Sequence, residues 1–281
     1  MSRPFSAARL RASASFVRLT GVSVATFDGM LDQLAVPWEK VQLRKAKPGR
    51  PWDVGVLDDH LLIMLIYYRC YITREFPGFF YNVNKSAICR AIKRIEKLVR
   101  PLIGVERKPK ISRKEAEALI VDCTEQPIQR PGADAKQREY YSGKKKRHTV
   151  KTEYIVSRKG RIVSTSPSHP GSHHDLAIRR DGPKLPNRAR LYADSAYQGY
   201  DKEHQALEFP YKKPKNGKLT DEEKEYNRGL SGFRVRVEHR IGRTKRFRIA
   251  SERFRNPLET HHTKISIIAG LVNLEDGFGP F

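Results

Sequence analysis

The sequence has few cysteines and no long hydrophobic run, and each of these features excludes a class of protein. Cys70, Cys89 and Cys123 are an odd number at wide spacing and form no C-x-x-C pair, so neither a zinc site nor a disulfide framework is expected. The apolar stretch at 61–68 is too short to span a bilayer and indicates a buried helix. The basic N-terminus lacks the apolar core of a secretion signal but leaves a mitochondrial-type presequence open. We therefore expect a cytoplasmic protein without membrane association.

Acidic residues are also scarce relative to basic ones. The 281 residues include 55 Lys and Arg against 31 Asp and Glu, which gives a net charge of +24. Folding does not need this excess, and its self-repulsion opposes folding. A surface that follows the phosphate backbone of a nucleic acid requires such charge. With 38% hydrophobic residues, the chain can also bury a proper core.

The N-terminal half is predicted to be helical. Residues 12–36 indicate one or two short amphipathic helices, and 43–53 indicate a basic linker broken by Pro and Gly. A long helix follows, with the body "LDDHLLIMLIYYR" and Asp53 as its cap. The stretch 75–103 predicts a turn, a short helix and a longer helix that begins near Asn84 or Ser86.

The longer helix separates an apolar stripe from a basic face. This arrangement resembles a helix-turn-helix whose second helix enters a DNA groove. A plain helical bundle with a solvated basic face explains the pattern equally well, and only the net charge favours DNA. The basic residues proposed to contact DNA here are Lys85, Arg90, Lys93 and Arg94.

A second region with a different pattern begins near residue 111. An apolar strand ends at Asp122, two strands joined at "RKG" lie within 145–171, and Ser172 is expected to cap a helix. Another strand runs into a turn within 188–200, and helices follow a Lys-rich stretch. We predict an α/β layer structure behind an all-helical module. The expected divisions are an N-terminal helical segment with linker at 1–50, a helix-turn-helix module at 51–110 and an α/β domain at 111–281.

Three acids are set apart by their context. Asp122 and Asp194 each end an apolar strand, and Glu238 lies on a helix within "FRVRVEHRIGRTKRF", where Arg234 and Lys245 share its flank. A carboxylate in apolar surroundings is costly unless it is paired or bound to a cation. Mg²⁺ prefers oxygen ligands, and two such ions can catalyse phosphodiester chemistry. The alternative for each acid is a helix cap or an ion pair with an arginine.

Residues 117–281 resemble the catalytic domain of DDE transposases of the insertion-sequence IS5 family, which have a ribonuclease-H-like fold. "VDCTE" matches the first block with Asp122, and "ADSAYQG" matches the second with Asp194. Arg234, Glu238 and Lys245 match the last block at its spacing, although Ser231 stands where the family has Tyr. "GSHHDLA" at 171–177 resembles an element between the first two blocks.

This resemblance implies a catalytic triad of Asp122, Asp194 and Glu238 that holds two Mg²⁺ or Mn²⁺ ions per active site. It implies that water first cuts a DNA strand at an element end and that the freed 3′-OH then attacks target DNA. Arg234 and Lys245 would neutralise phosphate charge or hold Glu238. The supporting residues of the middle element would be His174 and Asp175, although Asp175 could equally stabilise a helix dipole.

The partners implied are the terminal inverted repeats of the element and its target DNA, with a homodimer or larger assembly to pair the two ends. Two alternatives remain, namely an inactive or domesticated DNA-binding relative and a metal-dependent nuclease of the same fold. The further residues expected to contact the DNA backbone are Lys144, Lys145, Lys146, Arg147, Arg243 and Arg246.

Overall fold

The computed structural model describes residues 6–45, 51–108 and 111–279, which form two compact units. The first unit contains the described parts of Met1–Gly104, Lys245–Ser251 and Gly270–Phe281. The second contains the described parts of Val105–Thr244 and Glu252–Ala269. The predicted linker residues 46–50, the start of the basic N-terminus at 1–5 and the expected division at 110 lie outside the described residues.

The first unit is helical, as the sequence predicts. Within the predicted range 12–36 there are two helices, as expected, but the second is not short, since it continues through a proline at position 37 to Lys45 and into the predicted linker. The helices are α1 (Ala7–Arg11), α2 (Phe16–Thr20), α3 (Val24–Lys45), α4 (Leu57–Cys70), α5 (Glu75–Tyr81) and α6 (Lys85–Ile103).

Helix α4 forms the centre of this unit. The apolar stretch at 61–68 is fully buried within it, which confirms the prediction of a buried helix. The predicted cap Asp53 is wrong, because the helix begins at Leu57 and extended Val56 occupies the N-cap position. Two acids of the first turn, Asp58 and Asp59, place negative charge near the positive end of the helix dipole instead.

The turn between α5 and α6 has the geometry of a helix-turn-helix. Asn84 caps α6 as predicted, because its Oδ1 accepts a hydrogen bond from Ala87 N at 2.9 Å. Asn82 ends α5 in the left-handed region, with a φ of 50°. Gly78 is required in this turn, since an added Cβ would lie 2.7 Å from Val83 O. The predicted apolar stripe of α6 is buried.

The second unit is a mixed α/β structure. The elements are α7 (Arg113–Ala116), β1 (Leu119–Pro127), α8 (Asp134–Tyr140), β2 (Tyr141–Ser142), β3 (Arg147–Ser157), β4 (Ile162–Thr165), β5 (His169–Pro170), α9 (Asp175–Arg180), β6 (Leu191–Tyr192), β7 (Leu207–Glu208), α10 (Asp221–Lys245) and α11 (His261–Glu275), of which the part from Gly270 on belongs to the first unit. The sheet has the strand order β2-β3-β1-β6-β7, with β4 and β5 also paired to β3. Strand β1 is antiparallel to β3 and parallel to β6, and β6 is parallel to β7. The expected fold class is thus confirmed.

Two local predictions in this unit are wrong. Asp122 does not end its strand, because β1 pairs with β3 along its whole length and continues to Pro127. Ser172 does not cap a helix, since its hydroxyl donates to Glu139 O and α9 begins with His174 at the N-cap position. The pair of strands joined at "RKG" is confirmed, with Gly160 in the turn at a φ of +94°.

The two faces of the sheet have different neighbours. Side chains alternate along a strand, and one face carries the buried core around Val121, Ala193 and Tyr197. Helix α10 covers the other face, where Tyr192 packs on Phe233 and Tyr154 is hydrogen-bonded to Thr244. None of the described helices is long and apolar enough to cross a membrane.

Candidate active site

Asp122 lies within β1, and Asp194 lies just after the end of the neighbouring parallel strand β6. Ile120 of β1 is paired in register with Tyr192 of β6. Asp122 comes two residues after Ile120, and Asp194 comes two residues after Tyr192. By strand alternation, both carboxylates belong to the face that α10 covers. The structure therefore brings together two acids that lie 72 residues apart in the sequence.

The pKa of Asp122 is raised to about 6. Burial is the main cause, and the carboxylates of Asp194 and Asp175 contribute to the rise. The guanidinium of Arg234 and the backbone N–H of Cys123 act in the opposite direction. Mutual repulsion of this kind is relieved by a bound divalent cation, for which carboxylate oxygens are suitable ligands.

Local hydrogen bonds fix both aspartates. Asp122 Oδ1 accepts from Cys123 N at 2.9 Å, and Asp194 Oδ1 accepts from Ala196 N at 2.7 Å. The second of these bonds caps the short 3₁₀ turn Ser195–Tyr197. Each carboxylate thus keeps its direction and one oxygen with further acceptor capacity.

Asp175 lies at the first position of α9 and is held by a lysine that the sequence analysis missed. Lys151 Nζ donates to Asp175 Oδ1 at 2.9 Å and to His173 O at 2.7 Å, and Glu125 Oε1 lies 3.9 Å away. Lys151 is largely buried, with 13% of its side chain exposed. His174 is exposed at the N-cap of α9. The sequence contains little signal for Lys151, because β3 contains several other charged and polar residues.

A buried ion pair beneath α9 was also missed. Arg179 Nη1 donates to Glu153 Oε1 at 2.6 Å, and Arg179 Nη2 donates to Pro183 O at 2.7 Å. The side chains of Arg179 and Glu153 are 0% and 4% exposed. Burial raises the pKa of Glu153, while Arg179 opposes this effect. The pair anchors α9, and with it Asp175, to strand β3.

Helix α10 supplies the expected cation but leaves the expected glutamate in solvent. Arg234 is half-buried beside Asp122, and among the described residues none accepts a hydrogen bond from its buried Nε. Glu238 lies one turn further along the helix on the same side and is exposed. Lys245 is the last residue of α10 and belongs to the first unit.

The expected triad is not assembled as a cluster of ligands. Within residues 6–45, 51–108 and 111–279, no group of three or more His, Cys, Asp and Glu side chains could hold a metal ion. Asp122 and Asp194 by themselves still fit a divalent cation, because Mg²⁺ is commonly held by one or two carboxylates together with substrate phosphate. The guanidinium of Arg234 fits the same picture, since it supplies positive charge beside Asp122.

The basic residues expected at DNA are placed unequally. Lys93 and Arg90 are exposed on α6, whereas Arg94 stacks on Trp52 at 3.7 Å and lies 2.8 Å from His60 Nε2. Lys85 is ion-paired with Glu75 at 3.1 Å. The run at 144–147 is exposed in the turn between β2 and β3. Arg243 is half-buried on α10, and Arg246 is exposed just after it.

Comparisons with known proteins agree with this arrangement. Residues 121–273 match the model of the DDE superfamily endonucleases, and residues 56–101 match that of the helix-turn-helix of DDE superfamily endonucleases. A protein from Microchaete diplosiphon named as a transposase for insertion sequence element IS702 is 35% identical over 265 residues, which are 92% of this chain and 94% of that protein. A protein from Streptomyces albus G named as a transposase for insertion sequence element IS112 is 24% identical over 79% of this chain and 81% of its own length. No solved structure shows a significant match.

Proposed function

Because the chain belongs to the DDE superfamily endonucleases and is an insertion-sequence transposase, we propose that Asp122, Asp194 and Glu238 are its catalytic acids. The observation that carries this proposal is the placement of Asp122 on β1 and of Asp194 two residues after the end of the neighbouring parallel strand β6. Glu238 joins them by its position one turn from Arg234, whose guanidinium already lies beside Asp122. Membership of the IS5 family in particular stays a prediction.

Divalent metal ions are the cofactors that this superfamily uses, and we propose two Mg²⁺ or Mn²⁺ ions held by the three acids. When bound, such cations make water or a 3′-OH more acidic and stabilise the leaving oxygen. The two aspartates supply oxygen ligands whose mutual repulsion a cation relieves, as the raised pKa of Asp122 indicates.

The chain's own residues orient the substrate around these acids. The guanidinium of Arg234 lies beside Asp122 and compensates the charge of the scissile phosphate. Lys151 holds Asp175 in place on α9, so that this supporting acid keeps a fixed position near Asp122. Lys245, at the end of α10, serves the phosphates that flank the cut.

We propose that the helix-turn-helix of α4–α6 recognises the terminal inverted repeats, with α6 in the major groove. Arg90 and Lys93 are exposed cations of α6, and the run at 144–147 adds backbone contacts. Two element ends must be paired for joining, which requires a homodimer or a larger assembly. The protein acts in the cytoplasm at the nucleoid, where its DNA substrates lie.

A plasmid cleavage assay tests the proposal. A supercoiled plasmid that carries the element ends is incubated with Mg²⁺ and the wild type, Asp194→Asn or the control Asp201→Asn. Asp201 is an exposed acid seven residues further along the chain. We expect metal-dependent cutting and end joining by the wild type and the control, and a loss of at least about 100-fold in Asp194→Asn. Equal cutting by all three proteins would refute the proposal.

A further inference from the structure

We propose that a row of aromatic side chains beside β6, the strand that precedes Asp194, binds unpaired DNA. This aromatic row comprises Tyr211, Tyr226, Tyr192 and Phe233, all within the second unit. This proposal rests on the proposed function, which identifies DNA as the ligand. The binding site for bases would consist of residues outside the catalytic triad.

The outer half of the row is an exposed and fixed pair of rings. The centroids of Tyr211 and Tyr226 lie 5.1 Å apart at an interplanar angle of 64°, and the residues are 52% and 37% exposed. Asn227 holds the loop that carries Tyr211, because its Oδ1 accepts from Tyr211 N at 2.9 Å and its Nδ2 donates to Tyr211 O at 3.0 Å. The rings are therefore presented to solvent without the entropy of a loose loop.

The inner half joins this pair to the active site. Tyr192 and Phe233 have centroids 4.4 Å apart, and Tyr192 is paired in register with Glu208 of β7. Glu208 accepts a hydrogen bond from the hydroxyl of Tyr226, so the two halves are contiguous. Phe233 precedes Arg234 directly, and Tyr192 precedes Asp194 by two residues. A strand lying on the row would pass from solvent to the catalytic aspartates.

Cations accompany the rings. The guanidinium of Arg236 lies 4.9 Å from the centroid of Phe233, and Arg190 is hydrogen-bonded to Tyr192. The loop before α10 adds four lysines. Their charge is partly offset by three acids in the first turn of α10, although one of these acids, Asp221, is already paired with Lys224 at 2.8 Å. The lysines are Lys212, Lys213, Lys215 and Lys218. The surface thus offers both ring faces and positive charge.

This combination favours unpaired DNA over the other polyanions. A duplex presents its phosphates but keeps the faces of its bases stacked, so exposed rings add nothing to its binding. An unpaired strand presents both, and base stacking on aromatic rings is indifferent to sequence. The row begins beside β6, the strand that Asp194 follows by two residues, so an unpaired end released by the cut lies next to the row.

The first test is a comparison of binding to single and double strands. The full-length chain is titrated against a labelled 20-nucleotide oligothymidylate and against a duplex of the same length. Tyr211→Leu and Tyr226→Leu should each weaken single-strand binding by about fivefold or more, because one stacking contact is lost, with duplex binding unchanged. Tyr211→Phe and Tyr226→Phe keep the ring and should keep the affinity.

A matched control is Tyr141→Leu. Tyr141 is 43% exposed and lies beside the basic run at 144–147, outside the aromatic row. It should bind both probes as the wild type does. Equal losses on single strand and duplex in the Tyr211 and Tyr226 variants, or no loss on either, would overturn the proposal. Competition by polyglutamate as strong as by oligothymidylate would also overturn it, because an acidic protein would then be the ligand.

A cross-linking experiment locates the contact. An oligonucleotide with one 5-iododeoxyuridine is irradiated with the protein, and the attached peptide is identified by mass spectrometry. Attachment within 209–227 or at Tyr192 and Phe233 supports the row, and attachment only elsewhere overturns it. Asp194→Asn should lose cleavage and keep single-strand binding. A wild type that binds single strands without cutting DNA would therefore refute the proposed function alone.

Discussion

Cys123 Sγ and Tyr197 Oη lie 3.3 Å apart and connect the residue after Asp122 to the turn that follows Asp194. Both side chains belong to the core face of the sheet, and Tyr197 is completely buried. The two proposed catalytic aspartates project from the opposite face. The contact therefore fixes the spacing of Asp122 and Asp194 from the core face of the sheet, while both carboxylates are half-buried on the opposite face.

Tyr197→Phe should lower both stability and activity. The change removes the hydroxyl contact with Cys123 and keeps the ring, so the free energy of unfolding should fall by about 0.5–1.5 kcal/mol. DNA cleavage should fall as well, because the spacing of Asp122 and Asp194 loosens. Denaturant unfolding and the plasmid assay measure the two effects. The matched change Tyr211→Phe, at an exposed ring, should leave the free energy of unfolding unaltered, and an equal effect at both positions would contradict this account.

The buried pair under α9 predicts a large loss on removal of one partner. Arg179→Met leaves the carboxyl of Glu153 in the core without its cation, which should cost about 3–5 kcal/mol of unfolding free energy. Arg179→Met combined with Glu153→Gln should recover most of this loss. The neighbouring Arg180 forms a pair of the same length with Glu203, but both side chains are nearly half exposed. Arg180→Met should therefore cost at most about 1 kcal/mol, and a similar cost at both arginines would disprove the role of burial.

The helical unit should lose stability in acid through His60. The pKa of His60 is lowered from 6.5 to about 4, mainly by burial. A hydrogen bond to Val56 O opposes this effect, and the nearby Arg94 adds to it. The folded chain therefore keeps this ring neutral, whereas the unfolded chain takes up a proton below pH 6.5. The contribution of His60 to the free energy of unfolding is complete at pH 8 and decreases towards pH 4, with a loss of about 2 kcal/mol at pH 5.

His60→Gln tests this explanation, since it removes the titrating group. The difference in unfolding free energy between pH 8 and pH 5 should shrink by about 2 kcal/mol in the variant. His261 also has a lowered pKa, of about 3, mainly because of burial. It is present in both proteins and contributes equally to the pH dependence of both. An unchanged difference between the two pH values would show that His60 is not responsible.

Gly78→Ala should disrupt the helix-turn-helix. The new methyl group would lie 2.7 Å from the carbonyl oxygen of Val83, and a backbone atom cannot move away without opening the turn. We expect a loss of about 1–3 kcal/mol in unfolding free energy and weaker binding to element-end duplexes by fluorescence anisotropy. Gly242→Ala is the control, because no atom lies within 4 Å of the added methyl group and Ala favours the helix. Stabilisation of both variants would contradict the close approach at Gly78.

The sequence predicted those features that depend on local chemistry. Asn84 caps α6 because an amide oxygen satisfies a free N–H at any helix start, and the apolar stretch at 61–68 is buried because it has no polar alternative. Asp53 and Ser172 were equally good caps by composition, but pairing partners elsewhere in the fold decided against them. Asp122 was placed at a strand end, because the continuation of β1 depends on pairing with β3.

The site was predictable only in part for the same reason. Asp122 and Asp194 stood out by the apolar residues before them, and register then placed them together. Lys151, Glu153 and Arg179 act through contacts across strands and helices that no spacing in the sequence reveals. No spacing in the sequence reveals either that the first unit also contains Lys245–Ser251 and Gly270–Phe281.

Glu238 is the acid whose role is least apparent from packing, because it is exposed on α10. The most direct test is metal-dependent cutting of a plasmid with the element ends by Glu238→Gln, next to Glu225→Gln, an exposed acid on the same helix. We predict that Glu238→Gln binds the ends normally but cuts at least about 100-fold more slowly, while Glu225→Gln cuts like the wild type. Cutting by Glu238→Gln at the wild-type rate would contradict the triad.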